Sequence, residues 1–167
     1  WGVIPDVMCL AKPFAGGLPI GITVAKEAIM SSFGLGEHTS TFSGSPLVCA
    51  AACAAIDVLI NERLVDRAAE LGAYFKAKLE ALQAKHKIVK EVRGLGLMLG
   101  MELRHDVRNI IVRTLAKGVL ILEAGRNVLR FLPPLVIEKE HIDRVITVLD
   151  EVLGEEESER QGSAVSN

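Results

Sequence analysis

The sequence predicts an α/β fold in two parts, followed by a polar tail. Short apolar runs bounded by glycine and proline alternate with helical patterns, which is typical of strands and helices packed in layers. The composition shifts near Asn61 to Arg63, from a stretch with few charges to one rich in charged residues. We therefore predict domains at 1–62 and 63–153, with 154–167 as a disordered tail because it contains few apolar residues.

The overall composition excludes two large classes of protein. The 167 residues are half apolar and carry a net charge of −2, without a basic cluster, which argues against nucleic-acid binding. No apolar run reaches the ~18 residues of a membrane span. The three cysteines stand in apolar contexts, and Cys49 and Cys53 have no His or third Cys nearby. We expect reduced packing residues of a cytoplasmic protein and no metal site.

The beginning of the chain looks like interior material. It starts at Trp1 without an initiator methionine, and its first 60 residues are the most apolar and least charged part. A globular domain seldom opens in this way, so we expect a fragment of a longer protein.

The N-terminal part contains two apolar runs suited to strands, at 7–11 and 18–24, and a short helical patch at 26–30. Ser45 and Pro46 are a favourable helix start, with serine as the N-cap and proline at the first helical position. Apolar residues then cover every side of the helix predicted at 47–60, so we expect it to be buried all round.

Lys12 follows the first of these strands and precedes Gly16, Gly17 and Gly21. This order brings a buried strand out into a tight turn with an exposed backbone. A lysine between apolar walls has its pKa lowered, and the amine can then attack a carbonyl carbon. The alternative is a lysine that closes a strand with its ammonium group in water.

A second segment, 35–45, is rich in Gly, Ser, Thr and His. Its hydroxyls and backbone N–H groups suit an anion such as a phosphate.

The C-terminal part has the pattern of an α+β domain. An amphipathic helix begins near Arg63, with an apolar stripe at Leu64, Ala68, Leu71, Phe75, Leu79 and Leu82. Strand segments are predicted at 89–103, interrupted by glycines, and at 119–122 and 127–132. A short helix is predicted at 107–117, and Ile142, Val145, Ile146, Leu149 and Val152 give a final helix.

Three ordered motifs resemble the class III aminotransferases, which use pyridoxal phosphate on the fold-type-I scaffold. The first is the segment from Pro5 to Gly21 around Lys12. The second is His38-Thr-Ser-Thr-Phe-Ser-Gly-Ser-Pro46, and the third comprises Arg93-Gly-Leu-Gly-Leu-Met-Leu-Gly100 and Val128-Leu-Arg-Phe-Leu-Pro-Pro-Leu135. The resemblance implies the end of the PLP-binding large domain in 1–62 and the α+β small domain in 63–153.

The resemblance also implies roles for four residues. Lys12 is expected to form the Schiff base with pyridoxal phosphate and to move a proton during the reaction. Thr41, and more weakly Ser40, is expected to hold the phosphate, in this family across the interface of a homodimer. Arg130 is expected to bind the substrate carboxylate bidentately, the alternative being a solvated arginine at a strand end. Arg93 is expected to be structural.

The sequence departs from the family pattern at three points. Pro13 stands where the family commonly has glycine, and Ser45 where asparagine is usual. The acid that pairs with the pyridine nitrogen, the aromatic that stacks on the ring and a glycine-rich phosphate turn are expected upstream of Trp1. Without that acid the cofactor is a weak electron sink, so we expect the chain alone to be a poor catalyst.

Within the family, the signatures are most similar to the acetylornithine and aminoadipate-semialdehyde aminotransferases of arginine and lysine biosynthesis. The implied reaction moves an amino group from N-acetylornithine, or from a carrier-linked lysine or ornithine, to 2-oxoglutarate. Three alternatives stay open: a 4-aminobutyrate or ornithine aminotransferase, a glutamate-1-semialdehyde aminomutase, and an inactive truncated product.

Overall fold

The computed structural model describes residues 2–165, and the side chains of residues 2–162. The chain forms two compact units that divide between Arg63 and Leu64. The predicted boundary between residues 62 and 63 lies next to this division. The assignment of the two units as parts of a large and a small domain remains a prediction.

The N-terminal unit is built from two short strands and two helices. Strand β1 (Val7–Leu10) pairs antiparallel with β2 (Ile22–Ala25), so that Val7 lies opposite Ala25. A 3-10 turn (Lys12–Ala15) follows β1 directly. Helix α1 (Glu27–Met30) follows β2, and the longer helix α2 (Pro46–Asn61) closes the unit. These elements match the predicted strand and helix segments, with boundaries displaced by a few residues.

Helix α2 is much more exposed than the sequence predicts. Ala52 is its one buried residue, whereas Leu47 is 73% and Ile60 is 62% exposed. The prediction of a helix buried all round is therefore wrong for the described chain, because α2 packs against the 3-10 turn on one side only. The cysteines expected as packing residues, Cys9, Cys49 and Cys53, are likewise exposed.

The C-terminal unit is a four-stranded antiparallel sheet packed against helices. Helix α3 (Leu64–Lys85) leads into the hairpin β3 (Val89–Leu95) and β4 (Met98–Leu103). Helix α4 (Arg108–Ala116), strands β5 (Leu122–Glu123) and β6 (Val128–Phe131) and helix α5 (Lys139–Val165) follow. The strand order is β3-β4-β6-β5, so β4 and β6 are central.

The hydrophobic core of this unit is the one that the helical periodicity predicts. Every residue of the α3 stripe is buried except Ala68, which packs against the core from its edge. From α5, Ile142, Leu149 and Val152 are fully buried, and they meet strand residues such as Met101 and Leu129. The period of 3.6 identifies this face because all its residues bury against one sheet.

Glycines allow α3 to approach the β3–β4 turn very closely. A Cβ atom added at Gly72 would lie 2.2 Å from the backbone carbonyl of Gly96. Gly96 itself has a φ of 54°, and Gly94 has a φ of 137° with its Cβ position 2.2 Å from the carbonyl oxygen of Met98. The glycines between Arg93 and Gly100 are therefore required by a left-handed turn and by contact between two backbones.

The C-terminal helix extends well beyond the predicted end of the domain. We expected 154–167 to be disordered, but α5 continues to Val165, so that prediction is wrong for residues 154–165. Residues 166 and 167 lie outside the described part of the chain. Acidic side chains in this extension have basic partners. The Arg113 guanidinium pairs with Glu159 at 2.5 Å and Glu155 at 3.5 Å, and buried Glu156 pairs with Arg160 at 2.8 Å.

A buried histidine ties the extension to the end of α3. His86 Nε2 lies 2.7 Å from the Asp150 carboxylate, and Nδ1 lies 3.2 Å from that of Glu157. The second oxygen of Glu157 accepts a hydrogen bond of 2.8 Å from the backbone N–H of Ile88. Lys85 adds a further ion pair to Asp150 at 2.6 Å. A composition-based prediction of disorder misses such pairs because their partners lie far away in the sequence.

This cluster makes the stability of the C-terminal unit depend on pH. The Lys85 ammonium and, to a smaller extent, His86 hold the pKa of the Asp150 carboxyl below its usual value. The unfolded carboxyl titrates near pH 3.9, so the stabilisation is present above about pH 4 and is lost as the pH falls through the lower folded-state pKa. Asp150→Asn should lower the free energy of unfolding by about 1 kcal/mol at pH 7 and flatten the decline below pH 4. Urea denaturation followed by circular dichroism checks this prediction.

The matched control is Glu123→Gln, which changes an exposed carboxylate on the short strand β5. We expect it to keep the stability and the acid profile of the unchanged chain. If Asp150→Asn and the unchanged chain lose stability identically between pH 5 and pH 3, the cluster does not contribute as described.

Among the described residues, no helix is both long enough and apolar enough to cross a membrane.

Candidate functional site

Lys12 occupies a strained backbone position at the end of β1. Its φ is 59°, in the left-handed region that residues with a Cβ atom rarely adopt. It opens the 3-10 turn, in which Pro13 follows and Ala15 is 2% exposed. Gly16, with a φ of 65°, closes the turn by donating a hydrogen bond of 2.9 Å to the carbonyl of Pro13. Such strain is concentrated at functional positions in proteins.

The Lys12 side chain is exposed within the N-terminal unit. The apolar walls expected around its ammonium group are therefore not supplied by the strands and helices of this unit. The exposed lysine is sterically accessible to a carbonyl compound.

The segment 35–45 forms a series of turns that carries several hydroxyl groups. The backbone N–H of Ser43 donates to the carbonyl of Ser40 at 3.1 Å, and the two hydroxyls of these serines are 3.2 Å apart. Thr41 is exposed beside them. Ser45 precedes α2 as predicted, but its side chain makes no capping hydrogen bond, and Pro46 fixes the first helical residue instead.

A cavity of about 660 Å³ lies between these turns and α2. Phe14, two residues after Lys12, lines it, as do the serines at 40, 43 and 45 and the α2 residues Cys49 and Cys53. Lys12 and Thr41 are not among the described residues that line it. The N-terminal unit thus brings the neighbours of Lys12 and Thr41 to one cavity whose rim carries hydroxyl donors.

Arg130 lies in the C-terminal unit, on the central strand β6. Gly100 of β4 is paired with Arg130 on one side and with Arg93 of β3 on the other. Directly paired residues of an antiparallel sheet project from the same face, so both arginines share a face with the glycine between them. Gly100 contributes no side chain between the two arginines, and a Cβ atom at this position would lie 3.3 Å from a methyl group of Val128.

The two arginines have different partners. The Arg93 guanidinium donates to Glu91 at 2.9 Å and to Glu102 at 2.6 Å. Hydrogen bonds from Lys90 and from Arg93 lower the pKa of the Glu102 carboxyl, which keeps the network ionised. Among the side chains that the structure describes, no carboxylate pairs with Arg130. Arg93 thus has the structural surroundings expected for it, whereas the exposed Arg130 retains its donors for a ligand.

Arg130 also lines a second cavity, of about 670 Å³, within the C-terminal unit. The other walls are mostly apolar, with Val119, Ile121, Phe131 and the Pro133-Pro134 pair among them, and Glu140, His141 and Arg144 are the further polar residues of the lining. An arginine at an apolar cavity suits a ligand that combines a carboxylate with an aliphatic chain.

The site residues expected from the sequence fall into two groups. Lys12, Ser40 and Thr41 lie in the N-terminal unit, and Arg130 lies in the C-terminal unit. Sequence reasoning missed Gly100 as a spacer and Glu102 as the residue that neutralises Arg93. The alternation along β4 could have placed Gly100 and Glu102 on one face, but only strand register sets them beside Arg93.

The model of the aminotransferase class-III family matches residues 1–153. The chain belongs to this family, which confirms the resemblance noted in its three motifs and the fold class that the resemblance implies.

Individual relatives are similar over nearly the whole chain. The acetylornithine aminotransferase of Methanocaldococcus jannaschii is 50% identical over 155 residues, which cover 93% of this chain and 39% of the relative. The ornithine aminotransferase of Bacillus subtilis is 42% identical over 153 residues, which cover 91% of this chain and 38% of the relative.

A solved structure with the same fold is the ornithine aminotransferase of Toxoplasma gondii crystallized in the presence of oxidized glutathione. It has a TM-score of 0.89 and 34% identity, and the match covers 96% of this chain and 39% of that one. That structure is described as having partial occupancy of PLP at its active site. In each of these comparisons the chain spans about two fifths of the length of its relative.

Proposed function

We propose that the complete protein is a pyridoxal-phosphate-dependent aminotransferase that moves the amino group of N-acetylornithine to 2-oxoglutarate, in arginine biosynthesis. The observation that carries this proposal is the exposed amine of Lys12, set in a left-handed turn directly after β1. The 50% identity to an acetylornithine aminotransferase supports the choice of substrate. A carrier-linked lysine or ornithine is a related donor, which would place the protein in lysine biosynthesis.

The residues of this chain suit pyridoxal phosphate by the chemistry of their donors. A primary amine can bond to the carbonyl carbon of the cofactor, and hydroxyl groups on a turn can donate to its phosphate. Lys12 supplies the first, and Ser40 and Thr41 supply the second. When bound, the cofactor supplies an electron sink for the substrate carbon from which a proton is removed.

Each residue then has one task in the reaction. The Nζ atom of Lys12 would hold the cofactor and would accept and return the proton of the substrate carbon that carries the transferred amino group, which in N-acetylornithine is not the α-carbon because the α-amine is acetylated. The Arg130 guanidinium binds the substrate carboxylate with two parallel hydrogen bonds, which fixes the orientation of that carbon. Arg93 stays with its two glutamates and does not compete for the carboxylate.

We further propose that the complete protein is a homodimer located in the cytoplasm. Neighbours of Thr41 and of Lys12 line one cavity, yet neither residue lines it. This arrangement agrees with a Thr41 hydroxyl that donates a hydrogen bond to the cofactor phosphate of the other protomer.

Ornithine is the second candidate donor, because an ornithine aminotransferase is 42% identical to this chain. Both donors present an α-carboxylate, and they differ in whether the α-amine is acetylated. Arg130 binds the feature that the two donors share, so other residues must distinguish between them.

Turnover by the complete protein tests the proposal. We expect kcat/KM for N-acetylornithine to exceed that for ornithine and for 4-aminobutyrate by about tenfold or more, since tenfold corresponds to about 1.4 kcal/mol of differential binding. Coupled assays of glutamate formation from 2-oxoglutarate measure all three donors. Equal values for the three would contradict the choice of N-acetylornithine, and no turnover of any would contradict the aminotransferase.

Arg130→Lys serves as the variant in the same assay, with Arg126→Lys as its control. Lysine keeps the charge but cannot form the bidentate pair, so KM for the donor should rise about tenfold. Arg126 is 88% exposed at a turn, and its substitution should leave KM unchanged.

A further inference from the structure

The strain at Lys12 has an identifiable structural origin. Leu10, the last residue of β1, is held by its antiparallel pairing with Ile22. On the other side of Lys12, Ala15 is buried, and the 3-10 turn packs against α2, where Ala52 is also buried. Lys12 therefore lies between two anchored segments, Leu10 on one side and Ala15 on the other.

Pro13 removes the ordinary way of relieving this strain. The ring of a proline disfavours the right-handed helical region for the preceding residue. The alternatives that remain for Lys12 are the left-handed conformation and the extended one that a following proline favours. An extended Lys12 would continue β1 and would carry the turn away from α2, where Ala15 is 2% exposed. The buried Ala15 thus selects the left-handed conformation.

We propose that Pro13 and Ala15 are positioning residues that hold the Lys12 backbone in its left-handed conformation. They thereby fix the direction in which the Lys12 side chain, with its amine, projects from the backbone. This inference rests on the role proposed for Lys12 in holding the cofactor. A residue with a Cβ atom adopts this conformation at a cost of about 1–2 kcal/mol. Preorganisation of this kind holds the amine in its reactive geometry before the reaction begins.

The first test measures the strain without reference to the cofactor. Lys12→Gly and Lys12→Ala remove the same amine, but only glycine accepts the left-handed conformation without strain. In the complete protein we expect the amides of β1 and β2 to exchange hydrogen roughly fivefold more slowly in Lys12→Gly than in Lys12→Ala. Hydrogen-exchange mass spectrometry of the peptides covering these strands gives the rates.

The control pair is Lys76→Gly and Lys76→Ala on α3. Lys76 is in a helix, where glycine is worse than alanine, so peptides of α3 should show the opposite order. If the Lys12 pair follows this ordinary order as well, Lys12 is not strained and the inference is overturned.

The second test measures the amine. Pyridoxal phosphate with borohydride labels lysines, and the exposed Lys26 of the same unit is an internal reference. Pro13→Ala should lower the ratio of label at Lys12 to label at Lys26 roughly fivefold, because Lys12 then gains the right-handed conformation. Pro5→Ala is the control and should leave the ratio unchanged. A purely structural effect of Pro13 would leave the ratio unchanged too, and would overturn the positioning role.

The two tests separate this inference from the proposed function. If Lys12 in the unchanged protein is labelled no faster than Lys26, the role of Lys12 toward the cofactor fails, and with it the positioning of a reactive amine. If Lys12 is labelled preferentially but the glycine variant is not the more protected one, the proposed function stands and only the positioning inference fails.

Discussion

Lys12→Ala is expected to abolish both the preferential labelling of this site by pyridoxal phosphate and the transamination of the complete protein. Removing the amine removes the covalent link to the cofactor and the group that moves the substrate proton, so activity should fall by at least about 10³-fold. Trapping with borohydride, followed by mass spectrometry of the peptide that contains residue 12, detects the link directly. Glutamate formation measures the activity.

Lys26→Ala is the matched control for this experiment. Lys26 is a second lysine of the N-terminal unit, exposed and paired with Asp6 at 2.5 Å. Its loss should leave the label and the activity in place. Full activity in Lys12→Ala would refute the proposed role. A label that appears in the complete protein, but not in the 167-residue chain, would show that residues outside this chain complete the site.

Gly72→Ala is expected to destabilise the C-terminal unit by about 3 kcal/mol. The added Cβ would lie 2.2 Å from the backbone of Gly96, and a backbone cannot move aside as the end of a flexible side chain can. Helix α3 would have to shift away from the β3–β4 turn, which would open the core around Leu71 and Phe75. Urea denaturation followed by circular dichroism measures the loss.

Gly162→Ala is the control, because a Cβ atom at this position of α5 would meet nothing within 4 Å. In a helix, alanine is favoured over glycine by about 1 kcal/mol, so this variant should be neutral or slightly more stable. A Gly72→Ala chain as stable as the unchanged one would mean that α3 and the turn do not approach each other as described.

For the C-terminal unit, the sequence predicted helices and strands more closely than the contacts between them. The stripe from Leu64 to Leu82 specifies a helix and its buried face together, since a residue every three or four positions packs against one sheet. The glycines between Arg93 and Gly100 indicated a turn for a similar local reason. The contact of Gly96 with Gly72, more than twenty positions earlier, has no local signature.

Predictions failed where the deciding contact lies far away in the chain. The polar segment after residue 153 looks disordered by composition, yet it is helical, with His86 and Arg113 pairing with its carboxylates. The apolar α2 looks buried by composition, yet it remains exposed because burial depends on which surfaces are present to cover it. Composition measures what a segment could bury, whereas tertiary structure decides what it does bury.

For the candidate site as well, some features were predicted from local sequence and others depended on tertiary contacts. The sequence by itself predicted Lys12, Ser40, Thr41 and Arg130 as site residues, because each stands in a motif of consecutive residues that resembles a known family. The tertiary structure supplied the physical difference between the two arginines, since Arg93 pairs with two glutamates whereas no carboxylate among the described side chains pairs with Arg130. The left-handed backbone of Lys12 was also decided there, because it results from two anchored segments and not from the preference of lysine itself.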